Sequence, residues 1–333
     1  MMLYKIFLRS FIMKRIIAIV LALMAVLMMT ACNEADGTTQ ATKMTMGTGG
    51  TQGTYYAYGG SLGNHIKNET GITVNVVSTD GSKANILGID VGNYQLGTVQ
   101  SDVMAYAYAG TRSFEAEGAL DSFRVIGGLY AEAVQLVTMD PAIKSVADLA
   151  GKKVSIGAAG SGVYFNAIDI LGAAGLTEAD IQPQYQSFGD SADALKDGKI
   201  DAAFIVAGAP TPAIQELCTT TDAYLVPIDG AIAETLMNGS PYYTLHKIPA
   251  GTYDGQTEDV TTVTVKATLI VSTSASEEDV YNITKAIFDK PDAIGHAKSV
   301  ELSLENATAG MTAPFHKGAA KYFAEQGITV ESK

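Results

Sequence analysis

The stretch Lys43–Asn68, KMTMGTGGTQGTYYAYGGSLGNHIKN, reads as a short apolar strand, a glycine-rich corner and a helix. Glycines at 47, 49, 50 and 53 let the backbone approach a ligand closely, and the helix start offers N–H groups with no intrahelical partner. Together these features form an anion site. The device recurs at Gly157–Tyr164, GAAGSGVY, where a strand again runs through glycines into a helix. Ser78-Thr79-Asp80-Gly81-Ser82 and Val99-Gln100-Ser101-Asp102 are two further strand-to-helix turns carrying capping side chains. Each turn alone is accounted for by helix capping. Four of them fall where open α/β sheets bind ligands, at the carboxyl ends of strands.

Working outward, short apolar runs alternate with helical segments. Strands are expected at Lys43–Met46, Ile72–Val77, Gln95–Val99, Phe123–Gly127 and Val134–Thr138, and helices at Thr54–Asn68, Ser82–Asp90 and Ser101–Ala109. A second alternating series comprises strands Lys153–Ile156, Gln184–Gln186, Ala202–Val206 and Tyr224–Pro227. Its helices are Gly162–Ala174, Ser191–Asp197 and one from about Thr211. Pro241–Asp259 reads as a long surface connection, and the β-branched run Val260–Ser272 as a long strand. Helices Glu277–Phe288 and Gly318–Gln326 end the chain. This alternation predicts an α/β fold. A long strand returning late favours two interleaved lobes joined by crossover strands over two sequential domains.

Composition narrows the function. Of 333 residues 47% are apolar and 17% charged, so the chain buries a real core. Its net charge is −13, and the four basic residues before Cys32 (Lys5, Arg9, Lys14, Arg15) are opposed there by no acid. From Cys32 onward 18 basic residues face 35 acidic ones, a net of −17 that repels phosphate backbones and excludes nucleic acid. Only Arg112 and Arg124 remain as arginines, so an acidic ligand would rest mainly on backbone N–H groups, hydroxyls and helix dipoles. Tyr55, Tyr56, Tyr58, Tyr106, Tyr108, Tyr130 and Tyr164 lie at or near the corners, with Tyr58 and Tyr108 expected in the core. His65, His246, His296 and His316 are isolated, and no nucleophile elbow, P-loop or metal-ligand spacing occurs. No enzyme, cofactor or metal is expected. The first glycine corner has the spacing Gly47-x-Gly49-x-x-x-Gly53, with Asp80 as a candidate ribose acid; an exported nucleotide-dependent enzyme is the distant alternative.

The amino terminus is an address. Lys14-Arg15 precedes an uncharged apolar run, Ile16–Met29, too short to span a bilayer comfortably, and Met13 is an alternative start. Thr30-Ala31-Cys32 follows and resembles the lipobox of bacterial lipoproteins, with Met29 standing where Leu is usual. Residues 1–31 are therefore expected to be a signal peptide, Cys32 the lipidated mature terminus, and 32–42 a flexible tether. Cleavage near Ala31 with Cys32 a plain thiol is the alternative; both export the protein. Lipidation leaves Cys218, beside Leu217, as a buried thiol.

Taken together, TGGTQGTYYAYGGSL, VVSTDGSKANI, GTVQSDVMAYAYAG, RVIGGLYAEAVQLV, DLAGKKVSIGAAGSGV and DGKIDAAFIVAGAP resemble the TAXI family of solute receptors, the extracytoplasmic component of one class of TRAP transporters. The resemblance runs from about Lys43 to Pro210 and implies a type II periplasmic-binding-protein-like fold. It implies lobe I at 43–138 plus 260–333 and lobe II at 139–259, closing on a glutamate-like or dicarboxylate solute. It also implies TRAP membrane subunits as partner. Carried over by motif, the ligand contacts would be Thr48, Gly49, Gly50 and Tyr55, then Ser78, Thr79 and Ser82, then Gln100, Ser101 and Asp102. The opposite lobe would give Ser161, Gly162, Val163, Ala209 and Pro210. Asp102 would hold a ligand ammonium. A ligand-sensing protein of the same fold without a transporter is the other alternative.

Overall fold

A computed structural model describes residues 42–333. The expected signal peptide, Cys32 and all but the last residue of the tether lie outside the described residues.

The chain opens with β1 (Lys43–Gly47), α1 (Thr54–Thr70), β2 (Thr73–Val77), α2 (Ser82–Asp90), β3 (Leu96–Gln100) and α3 (Ser101–Ala109). In α1, Tyr58, Leu62 and Ile66 recur at i, i+4 and i+8 and are all fully buried, so one helical stripe faces the core. Gly71, at φ 78°, ends that helix in the left-handed conformation that glycine adopts without strain. β4 (Phe123–Thr138) follows, then β5 (Lys153–Ser155), α4 (Val163–Ala173), β6 (Gln182–Gln184), α5 (Phe188–Lys196) and β7 (Ala202–Ala207). After α6 (Pro212–Thr220), β8 (Tyr224–Val226), α7 (Gly230–Gly239) and β9 (Thr244–Ile248), the chain returns through β10 (Val260–Ser272). It finishes with α8 (Glu277–Asp289), α9 (Leu304–Thr308) and α10 (Lys317–Glu325).

The sheet order is β2-β1-β3-β10-β4-β7-β5-β6, with β8 paired to β4 and β9 to β10. β1 pairs in parallel with β2 and β3, while β10 inserts antiparallel between β3 and β4. The late strand is thus stitched into the first unit, which makes the topology interleaved rather than sequential.

Buried side chains sort accordingly. One cluster joins residues between Met44 and Tyr130 to residues between Ala267 and Phe323, with Phe165 as its one buried member from between. We call this the terminal half. Two more clusters draw on residues between Ala133 and Val265, the middle half. Alternate residues of β7 divide between those two, Ala202, Phe204 and Val206 on one face and Ala203, Ile205 and Ala207 on the other. β4 passes from one half to the other between Tyr130 and Ala133, and β10 between Val265 and Ala267.

Two expectations need correction. Phe123–Gly127 and Val134–Thr138 are expected as two separate strands, yet 123–138 is one strand of 16 residues. The glycines serve close approach instead: a Cβ at Gly127 would stand 2.8 Å from the Phe288 ring, and one at Gly128 2.7 Å from the Asn306 carbonyl. The connection 241–259 carries β9, paired along Val260–Thr264 of β10. That strand is mostly exposed, with Leu245 outward and Ile248 its one buried residue, so no alternating apolar pattern marks it. Cys218 is half-buried with no disulfide partner among the described residues, and burial pushes its thiol up to about 11.

Candidate functional site

The glycine corners of both halves line one pocket. From the first corner, Gly49, Gly50 and Tyr55 line it, joined by Gly53 and Thr54; from the second, Thr79 and Ser82; from the third, Gln100. The middle half contributes Ser161, Gly162 and Val163.

The other expected contacts lie outside this lining. Thr48 is fully buried; its hydroxyl donates to the Val77 carbonyl (2.7 Å), and its own carbonyl accepts from Asn85 Nδ2 (2.6 Å). Ser78 Oγ donates to the Gly49 carbonyl (3.1 Å), fixing the corner rather than facing the cavity. Ser101 Oγ accepts from the Lys266 N–H (3.3 Å). Asp102 is fully buried, with Oδ2 accepting from Asn166 Nδ2 at 2.9 Å. Ala209 and Pro210, joined by a cis peptide bond, also lie outside the lining.

Helix starts supply the donors. α1 begins at Gly53, α2 at Gly81, α3 at Gln100 and α4 at Gly162, and none has a side-chain cap. By contrast Ser187, Ser276 and Ser303 each cap their own helix. Gly81 takes φ 104°, which a side-chain-bearing residue adopts only under strain. The starts of α1, α2 and α4 all line the cavity, through Gly53 and Thr54, Gly81 and Ser82, and Gly162 and Val163, while α3 reaches it through Gln100.

The two halves touch around it. The Ala84 N–H donates to the Gly160 carbonyl at 3.3 Å, and the Ala213 N–H to the Gln52 carbonyl at 3.1 Å. Thr54 Oγ1 donates to the Gly208 carbonyl at 2.7 Å, a fully buried bond. A Cβ at Gly162 would lie 1.4 Å from Gln100 Oε1, so only glycine permits this approach.

Sequence reasoning missed Glu132 and Phe188, both in the lining. Glu132 belongs to β4 and is 1% exposed; Oε2 accepts from the Tyr55 hydroxyl at 2.6 Å. Burial holds its carboxyl well above the usual carboxylate range, and the same burial raises the Tyr55 phenol. A lone acid inside the apolar run LYAEAVQLV was the available signal. Phe188 opens α5 beside Gln186 and Ser187 and gives the cavity an apolar wall with Val163 and Val206.

Behind the wall a buried polar bridge joins the halves. Gln100 Nε2 donates to Asn166 Oδ1 at 2.6 Å, and Asn166 Nδ2 donates to Asp102 Oδ2 and to the Tyr243 hydroxyl. Tyr243 in turn donates to Asp169 Oδ2 at 3.0 Å, and Arg112 forks onto the same carboxylate at 3.2 and 2.7 Å. Burial pushes the Asp102 carboxyl up to about 6, and its Oδ1 has no partner among the described residues. Among the described residues no group of three or more His, Cys, Asp or Glu side chains is placed to hold a metal ion.

Residues 46–327 match the NMT1-like family. This chain belongs to that family. Solved structures similar to it include a protein from Bordetella bronchiseptica RB50, 18% identical over 85% of this chain and 88% of that one, at TM-score 0.52. The ligand binding component of an ABC-type import system from Staphylococcus aureus, solved with zinc bound, is 10% identical over 87% and 94%, at TM-score 0.50. The alkanesulfonate-binding protein of Xanthomonas axonopodis pv. citri, bound to MOPS, is 17% identical over 86% and 90%, at TM-score 0.48. At such identities the likeness is one of fold. This NMT1-like chain has the two-lobed α/β architecture of type II periplasmic binding proteins.

Proposed function

We propose that this chain is an extracytoplasmic solute receptor that binds a small amino-acid-like or dicarboxylate solute between its halves and delivers it to a membrane importer. The observation that carries the reading is the cavity lined by glycine corners from both halves. A solute bridging Gly49–Tyr55 and Ser161–Val163 holds the halves together and shifts an open–closed equilibrium toward closure. A membrane partner then has only to distinguish the two states, and no bond need be made or broken.

The finer assignment follows from the motif resemblance. It makes the importer a TRAP-type system, lobe I the segments 43–138 and 260–333, and lobe II 139–259. Residues 1–31 then direct export, Cys32 carries the lipid anchor, and the segment to Thr42 tethers the receptor to the extracytoplasmic face of the membrane.

Thermal-shift screening of amino acids and dicarboxylates tests the receptor reading. A solute at 100 times its Kd adds about 2.7 kcal/mol to stability. Stabilisation that disappears in Ser161→Pro, which breaks both bonds from Ser161 to the Ala158 carbonyl and so reshapes the middle-half corner, supports it; a melting temperature unmoved by any small solute contradicts it. Uptake into proteoliposomes holding the TRAP membrane subunits separates the transporter assignment from a stand-alone sensor.

A further inference from the structure

The cavity wall contains two charged residues, and both are acids: Asp80, exposed at the rim, and Glu132, buried in the wall. No lysine, arginine or histidine lines it. The arginines are engaged elsewhere, Arg112 on Asp169 at 2.7 Å and Arg124 on Asp121 at 2.9 Å. Lys298, the basic residue that acts on Glu132, has its Nζ held by Glu301 at 2.5 Å.

Glu132 is thus a carboxylate in a cleft that supplies it no cation. Its Oε2 takes the Tyr55 hydroxyl, while Oε1 accepts no hydrogen bond among the described residues. A buried carboxylate is expensive unless paired, and a ligand ammonium is a partner of the right size and sign. A dicarboxylate without an amine would instead bring like charge beside both acids.

We infer that Glu132, held by Tyr55, is the subsite for a protonated nitrogen, so that the solute is a zwitterionic amine rather than an amine-free acid. This rests on the receptor reading above. The solute carboxylate would face the uncapped helix starts at Gly81 and Gly162, and its apolar body would lie against Val163, Phe188 and Val206. Asp102, which sequence reasoning offered for the ammonium, is occupied with Asn166.

A consequence follows for pH. Glu132 is faced by Tyr55 from α1, by Tyr130 on its own strand, by Asp102 from α3 and by the paired Lys298. Burial and Asp102 both favour its protonated form, and Lys298 opposes them. Binding an ammonium expels that proton, so affinity for the amine climbs as pH rises, until Glu132 is ionised in the free protein as well.

Isothermal titration with matched pairs tests the subsite: L-glutamate with glutarate, and L-leucine with 4-methylpentanoate, on the wild type and on Glu132→Gln. Gln keeps an acceptor for Tyr55 and nearly the same shape, and circular dichroism confirms its fold. The expected result is binding of the amine-bearing member of at least one pair. Its amine-free mate and the Glu132→Gln variant should each lose at least about 30-fold in affinity. Equal binding of amine-free mates, or full affinity in Glu132→Gln, overturns the ammonium subsite and leaves the receptor reading standing. No binding of any of the four overturns the subsite too, and the receptor reading falls with it only if the broader thermal-shift screen is also empty.

Discussion

Two buried carboxylates, Glu132 and Asp102, have different neighbours. Glu132 lines the cavity beside the glycine corners, with one oxygen bonded to Tyr55. Asp102 sits in a polar bridge in which it, Gln100 and Arg112 meet Asn166, Tyr243 and Asp169 of the middle half. Burial raises both carboxyls. The difference teaches that burial of a charge says little until its partners are known: Asp102 is held across the halves by Asn166, whereas Glu132 faces the cavity, where a solute can meet it. Gln100 belongs to both, lining the cavity and donating to Asn166. It is the physical link by which solute in the cleft and closure behind it favour one another.

If the bridge carries stability and the wall carries binding, substitutions should divide the same way. The largest effect is expected from Asn166→Ala, which strips partners from Gln100, Asp102 and Tyr243 together. Each buried polar group left unmade costs about 1–3 kcal/mol, so chemical denaturation should show a loss of about 4 kcal/mol or more. A loss under about 1 kcal/mol would mean the bridge is ornamental.

Gly162→Val should weaken binding more than folding. The new side chain collides with Gln100, where even a Cβ would be 1.4 Å away. Overpacking of about 3 kcal/mol in the closed form weakens solute binding about 100-fold. Because the collision also displaces Gln100 from Asn166, stability without solute should fall, but by less than in Asn166→Ala. Calorimetry and melting of the same sample check both.

The pH response of Asp102 comes next. Its raised pKa means that the folded protein keeps a proton the unfolded chain has released. Stability therefore falls as pH rises from about 4 through about 6, by up to about 3 kcal/mol. Asp102→Asn removes that fall, so the wild type should lose stability relative to the variant across this window. A constant difference between the two would show that Asp102 is not raised.

The smallest effect is expected away from both regions. Ser276 caps α8 by accepting the Asp279 N–H at 3.0 Å. Ser276→Ala should cost about 1 kcal/mol in melting experiments and leave affinity untouched.

Much of this was legible in the sequence because local rules decide it. The helices Ser82–Asp90 and Ser101–Ala109 and the strand Val260–Ser272 fall at their expected limits. The glycine corners lie at strand ends for the reason their composition suggests. What escaped depends on distant neighbours. Gly127-Gly128 looks like a break until Phe288 and the Asn306 carbonyl are seen pressing on it. Asn166, on an apolar helix face, gives no sign of meeting a carboxylate 64 residues earlier in the chain. Glu132 reads as an interruption of a core strand, since its partner Tyr55 is 77 residues away.

The central claim is that peptide amides from two separate corners grip one solute. Amide hydrogen exchange read on the peptides 47–56 and 157–164 tests it most directly, with and without a saturating amino acid found by the thermal-shift screen. The account predicts that solute slows exchange in both peptides together. Slowing in only one of them, or in neither while the solute still binds, would contradict it.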